Sequence, residues 1–327
     1  MERSRQRGGL RTWLVALAIV VLAFAGTVLT LNLTLYSASG FVASYLDSLA
    51  RHDLTGALAT AGVSVPASGS RALLRPDAMG ELSDIRLVSD TAAPDGSHRV
   101  VYAYRAGSVN GKSAFTVERN GTNLGLFSAW RFSISPVAVL AVTPRHAATF
   151  TANGLGLSPK AGQDVVTRYD VLAPSAFALS HDSQWLTATT KTTLVSSPGS
   201  RVNASVAVRA NDKFVKEAQK EIDAYLAKCV TQHVLLPTGC PMGQQITDRL
   251  QDAPTWSMVT DPVIQIVPGN EAASWTIPAT SGTAHLVVTV KSIFDGTVST
   301  FDRDVPFTVA FVVTFQADGT LLITGQF

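Results

Sequence analysis

The sequence predicts an α+β chain: an N-terminal transmembrane helix, then two helix-plus-curved-antiparallel-sheet domains that flank a small all-β module. Three observations carry this reading. No charged residue lies between Thr12 and Leu46. Two stretches, one around Phe41 and one around Phe214, repeat apolar residues at helical spacing. Elsewhere, period-2 runs are separated by Asp-Gly and Asn-Gly pairs. The predicted divisions are residues 1–11, 12–36, 37–136, 137–209 and 210–327.

The strongest apolar run begins at Trp13 and ends at Leu35. As a helix rising about 1.5 Å per residue it reaches roughly 34 Å, enough to cross a hydrocarbon core of about 30 Å. Arg3, Arg5, Arg7 and Arg11 precede it against the single acid Glu2. Basic residues on that flank predict a cytoplasmic N-terminus and an exported body. Cleavage as a signal peptide is the competing reading, with Ser37-Ala38-Ser39 as a small-x-small site. Its apolar core, however, would be only about 7–15 residues. The expectation is an uncleaved, single-pass anchor in the cell membrane, with membrane lipid as its partner.

The chain has 327 residues, 26 Lys+Arg and 24 Asp+Glu, and is 46 % hydrophobic, so it can bury a core and is not disordered. The arginine-rich tail accounts for the basic balance, and the rest is nearly neutral. A phosphate backbone needs a basic surplus, so no nucleic-acid partner is expected.

Residues 39–61 read as an amphipathic helix with Phe41, Tyr45, Leu49 and His52 on one face and Val42 and Leu46 beside them. Strands follow at 85–88, 99–105, 113–119 and 124–135, with turns at Asp95-Gly96, Asn110-Gly111 and Asn120-Gly121. In the last of them Trp130, Phe132 and Ile134 share a face. Residues 136–208 are rich in Ala, Thr, Ser and Val with short β-like runs and no helix pattern. A second helix spans 211–230, its apolar face made by Phe214, Ala218, Ile222, Tyr225, Leu226 and Cys229. Asp212/Lys216 and Lys213/Glu217 are expected as i,i+4 pairs on its exposed side. Strands return at 257–267, 284–294, 305–315 and 320–327, and from Val305 to Phe315 the alternation is strict.

The first helix, the hairpins and the closing Phe127-Ser-Ala-Trp-Arg-Phe132 strand resemble the cone-shaped fold of ketosteroid isomerase and nuclear transport factor relatives. The hairpin from Phe311 to Thr320 is similar to the way such cones end. An anchor, a cone, a β module and a second cone also resemble exported single-pass proteins of Gram-positive bacteria, the teicoplanin-resistance-associated membrane proteins among them. That family commonly carries a zinc ribbon before its anchor, whereas no Cys precedes Trp13 here, so its function is not carried over.

A cone hosts both enzymes and binding modules, and function has to be argued from a site. Isomerase-type chemistry needs an inward carboxylate base and a second acid or phenol at an oxyanion. Asp84, Glu118, Tyr102 and Tyr104 are the candidates in the first unit, and Glu118 alternates away from Phe115 and Val117, towards solvent. The stretch from Gly107 to Ser113 resembles a phosphate loop but is one residue short and lies between strands rather than before a helix. Leu236-Pro237-Thr238-Gly239 resembles a sorting signal but lacks a residue and is internal. The histidines, His52, His98, His146, His181, His233 and His285, show no metal-site spacing, and no Gly-x-Ser-x-Gly elbow occurs. Cys229 and Cys240, with His233 between them, offer at most three metal ligands where a structural zinc normally wants four. In an exported chain a Cys229–Cys240 disulfide is the expectation.

No catalytic, cofactor or metal residues are therefore assigned. The expected function is that of a non-enzymatic, membrane-anchored extracytoplasmic binding or assembly protein of the bacterial envelope, with an envelope protein or cell-wall partner. An envelope enzyme using a cone pocket, or a scaffold subunit of a secretion or conjugation machine, are the alternatives. The orientation has a direct check: a reporter active only outside the cytoplasm should work when fused after residue 327 and fail when fused before Thr12. The reverse pattern overturns the arginine argument.

Overall fold

The computed structural model describes residues 3–271, 273–316 and 318–326, with side chains from residue 12 onward. The Arg3, Arg5, Arg7 and Arg11 side chains, and residue 327, lie outside the described residues. Helix α1 covers Arg3–Leu33. Its Thr12–Leu33 segment, 22 residues, is long and apolar enough to cross a membrane, and it is exposed from Thr12 to Thr27. Trp13 is exposed at the near end. Leu35 is exposed too, but it lies in the turn that follows α1, so the helix stops two residues short of the predicted end.

The predicted helix 39–61 is two helices, α2 (Ala38–Ala50) and α3 (Leu54–Ala59). Ser37 caps α2 by accepting from the Gly40 amide. Its apolar face is as expected, with Val42, Tyr45, Leu46 and Leu49 buried. His52 departs from that face. It is exposed at φ 56°, a left-handed conformation that ends the helix, and Asp53 restarts the chain by accepting from the Gly56 amide.

Strands β1 (Leu82–Ala92), β2 (His98–Ala106), β3 (Val109–Asn123) and β4 (Phe127–Phe132) form an antiparallel meander in that order. Asp95-Gly96 is a turn as predicted, but Asn110-Gly111 and Asn120-Gly121 are not. The β2–β3 chain reverses at Gly107, φ 56°, and Asn110 and Gly111 sit inside β3 opposite Arg105 and Tyr104. A Cβ on Gly111 would lie 2.6 Å from the Tyr104 ring, so this glycine serves a close approach rather than a turn. Gly121 falls at a register shift between Arg119 and Thr122, and the β3–β4 turn is made by Leu124 and Gly125. Ile134, beyond the end of β4, is exposed.

The middle segment has no helix. It contains β5 (Val137–Arg145), β6 (Phe150–Ala152), β7 (Leu155–Leu157), β8 (Thr167–Leu172), β9 (Ser175–Asp182), β10 (Leu186–Val195), β11 (Arg201–Ala207) and β12 (Arg209–Ala210). One sheet has the order β11-β5-β8, with β11 parallel to β5, and the other has β12-β10-β9-β6-β7. Helix α4 (Asp212–Val230) follows, capped by Asn211, which accepts from the Phe214 amide at 2.9 Å. Phe214, Ala218, Ile222, Leu226 and Cys229 are buried. Among the described residues the predicted i,i+4 pairs are replaced by Glu217–Lys220 at 3.1 Å and by Lys213 placed over the Trp185 ring.

The last sheet is built on a long hairpin. After β13 (Arg249–Leu250), β14 (Thr255–Thr260) and β15 (Val267–Pro268), strands β16 (Ser274–Lys291) and β17 (Val298–Phe315) run 18 residues each, and β18 (Leu321–Gly325) closes the edge. β16 pairs β13, β14 and β15 on one side and β17 on the other, with a register shift between Ile277 and Thr280 that curls the sheet. Val305, Phe307, Val309, Phe311 and Val313 are buried, as the alternation requires.

Buried side chains fall into two clusters that cross the predicted divisions. Tyr45, Phe115 and Phe132 of the first unit pack with Val137, Leu172 and Ala176 of the β module. A second cluster runs continuously from Leu140 and Phe177 of the module to Phe214, Trp275 and Val313 of the C-terminal unit. Tyr45 reinforces the first junction by donating to the Ala173 carbonyl at 2.9 Å.

Cys229 and Cys240 form a disulfide with Cα atoms 5.8 Å apart, tying the end of α4 to the following loop. Tyr225 donates to the Gly239 carbonyl beside it, and the His233 ring bonds the Pro254 carbonyl at 3.1 Å. Cys229→Ser should lower stability to denaturant by about 2–4 kcal/mol, the cost of reopening a loop of this size. It should also leave Cys240 as the one thiol that labels without reductant. Two labelled thiols in the wild-type protein would refute the bond.

Candidate functional site

Rings fill the first unit beneath its sheet, and a narrow gap lined by Leu49, Leu54, Leu74, Met79 and Leu82 remains at its junction with the β module. Tyr45, Phe115, Phe132 and Trp130 fill the space between α2 and the meander, the rings 5.1 Å to 6.1 Å apart where Tyr45 meets Phe132 and Phe115. Its phenols are used structurally. Tyr102 donates to the Ser39 carbonyl, and Tyr104 bonds the Ser113 hydroxyl, which donates to the Ser196 carbonyl. Burial raises the pKa of all three of Tyr45, Tyr102 and Tyr104. The sequence candidates Asp84 and Glu118 are not brought together with these phenols as an acid pair. Asp84 is exposed with Arg105 at 3.4 Å, and Glu118 accepts from Arg131 at 2.7 Å on the outer face.

The histidines are less solitary than their spacing suggests. His98 lies 2.6 Å from Asp90, and its ring stands edge-on to Trp130. His285 sits between Asp304 at 2.7 Å and Asp302 at 2.9 Å, and the hydrogen bond it donates to Asp304 raises its pKa. His181 is buried, donating from Nδ1 to the Thr149 carbonyl with Nε2 3.2 Å from the Ser183 hydroxyl. Among the described residues no three His, Cys, Asp or Glu side chains converge as a metal-ligating group.

His146 is different. It adopts φ 62°, held by its amide on the Asp164 carboxylate at 3.3 Å, and its ring meets the edge of Trp275 at 6.4 Å. Its ring nitrogens have no hydrogen-bond partner among the described residues. The imidazole lines a groove of about 310 Å³ between the β module and the C-terminal unit, with Gln163, Gln184, Trp185, Trp275 and Phe315 among its walls. Trp185 is fixed there because its indole donates to the Gly319 carbonyl at 2.9 Å. Three aromatic rings, two carboxamides and an uncommitted imidazole can take an apolar group flanked by hydrogen-bonding groups. Junctions between packed units are where such concavities gather. His146 and Trp185 were not separable in the sequence from residues of the ordinary core.

A second feature has no sequence signal. Asp170 of β8 is 1 % exposed, and neither carboxylate oxygen has a partner among the described residues. The segment at Gly69 and Ser70 covers it, with Asp170 donating its amide to the Ser70 carbonyl. Burial raises its carboxyl pKa, with Arg71 opposing the shift.

Comparison with protein-family models, with curated proteins and with solved structures finds no match to this chain.

A carboxyl whose folded-state pKa is raised contributes stability at low pH that is lost as pH rises through that pKa. Asp170→Asn removes the titration. Thermal melts at pH 4, 5, 6 and 7 should therefore show the variant gaining on wild type as pH rises. A difference independent of pH would mean that Asp170 meets a compensating charge.

Proposed function

We propose that this is a non-catalytic, single-pass, membrane-anchored protein whose extracytoplasmic body binds or assembles with an envelope protein or cell-wall component. The carrying observation is what lines one groove. Rings fill the core of the first unit, and among the concavities of the described residues the groove at His146 is the one that joins aromatic walls to an imidazole free of hydrogen bonds. The apolar Thr12–Leu33 helix supports attachment to a membrane, and the Cys229–Cys240 disulfide suits an oxidising compartment. In this reading both helix-on-sheet units are cone-like, similar to the ketosteroid isomerase and nuclear transport factor fold. The whole arrangement is akin to the teicoplanin-resistance-associated membrane proteins, with both cones serving as assembly modules rather than reaction vessels.

A photo-crosslinking residue at the exposed Gln184 of the full-length protein, in intact cells, should capture one discrete envelope component. His146→Asn keeps a residue that tolerates positive φ and removes the imidazole. At the centre of a binding site such a loss is worth about 2 kcal/mol, or roughly thirtyfold in affinity, and capture should fall accordingly. Glu118→Gln, on the outer face, should leave capture unchanged. Absence of any adduct at Gln184, with the protein at wild-type abundance, overturns the groove as the binding site.

A further inference from the structure

The β3–β4 hairpin is bolted to the end of α1 by side chains of the helix itself. Asn32 donates from Nδ2 to the Leu126 carbonyl at 2.9 Å and accepts at Oδ1 from the Ser128 amide at 2.8 Å. One turn further out, Trp130 donates to the Tyr36 carbonyl at 2.9 Å, and Tyr36 stacks on Phe127 at 4.4 Å. The chain from Trp130 back to Leu126 thus lies against the chain from Tyr36 back to Asn32. The hairpin runs down beside α1 towards the apolar segment.

Asn32 is itself inside the Thr12–Leu33 segment. The helix is exposed from Thr12 to Thr27 and first becomes half-buried at Val28, one turn before Asn32. The hairpin turn at Leu124 and Gly125 lies beyond the Leu126 carbonyl that Asn32 holds. At that tip stand Leu124, 89 % exposed, and Leu126, 47 % exposed. Leu124 also holds φ 52°, a conformation unfavourable for a bulky side chain and usually given to Asn or Gly. In water, a strained and exposed leucine gains nothing. Beside a membrane-spanning helix it meets hydrocarbon.

We propose that residues 124–126 form a second membrane contact, inserted into the lipid leaflet at the C-terminal end of α1, so that the body is held to the bilayer at two points. The inference rests on the anchor reading, since the lipid is the one α1 spans. Tyr36 and Trp130 then lie at the headgroup level that such amphipathic rings favour. The Asn32 carboxamide, costly if unsatisfied at that depth, is satisfied by the hairpin backbone.

The test uses the full-length protein in vesicles of phosphatidylethanolamine and phosphatidylglycerol with brominated acyl chains. With Cys229 and Cys240 bonded to each other, one introduced cysteine carries the fluorophore. Leu124→Cys is the probe. Leu22→Cys, in the middle of α1, tests the anchor, and Phe294→Cys, 98 % exposed on the β16–β17 turn, is the aqueous reference. Positions 22 and 124 should be quenched by brominated lipid and shielded from iodide, with 124 the shallower, and 294 should behave oppositely. Asn32→Leu should lower lipid quenching at 124 severalfold without altering 22. If 22 is in lipid but 124 is open to iodide, the second contact is wrong and the anchor stands. Iodide access at 22 overturns the anchor itself. Shielding of 124 from both quenchers would place protein, such as a second copy of this chain, over the tip and would also overturn the proposal.

Discussion

The architecture of the body depends on the burial of one ring, Phe214. It is fully buried, with its centroid 6.1 Å from Trp185 of the β module and 6.0 Å and 5.3 Å from Trp275 and Phe315 of the C-terminal sheet. Each such ring removes about 150–250 Å² from water. α4 can deliver it because Asn211 does two jobs. Its Oδ1 caps the helix at the Phe214 amide, and its Nδ2 donates to the carbonyls of Ser183 and Gln184. A helix start, an aromatic cluster and an inter-unit joint therefore share the same few residues. The groove at His146 is a concavity left beside that joint.

The C-terminal end of α1 follows a related rule. Polar atoms beside an apolar helix are costly unless they find partners within the protein. Asn32 spends both ends of its carboxamide on the hairpin backbone and also donates to the Val28 carbonyl, and Trp130 spends its indole N–H on Tyr36. The first unit is thereby oriented relative to α1 by hydrogen bonds rather than left on a free tether.

The interior of the first unit bears on what a helix-on-sheet scaffold can do. Its buried hydroxyls on Tyr45, Tyr102 and Tyr104 all go to backbone carbonyls or to Ser113. These bonds hold α2, the meander and the β module together, and they occupy the positions from which a phenol could polarise a substrate. Four charged residues of the sheet, Asp84 with Arg105 and Glu118 with Arg131, pair on its outer face.

Local chemistry made much of this legible in the sequence. The charge-free run before Asp47, the periodicity of α4 with its Asn211 cap, the alternation through β17 and the turn at Asp95-Gly96 all express preferences of short segments, and the structure has them. The Cys229–Cys240 bond was also within reach, since only a short loop separates the partners. Where a local signal had two meanings, tertiary contacts chose. Asn110-Gly111 and Asn120-Gly121 carry turn residues, yet the first lies under the Tyr104 ring and the second at a register shift, because pairing along β2, β3 and β4 sets the register. His52 fits the helical face but stops the helix instead. The groove and the clamp on α1 were invisible for a stronger reason. His146, Trp185 and Phe315, like Asn32 and Leu126, are far apart along the chain, and nothing in their neighbours says that they meet. Patterning and turn preference act over a few residues, whereas those meetings are settled by which faces bury which, and only the folded chain makes that choice.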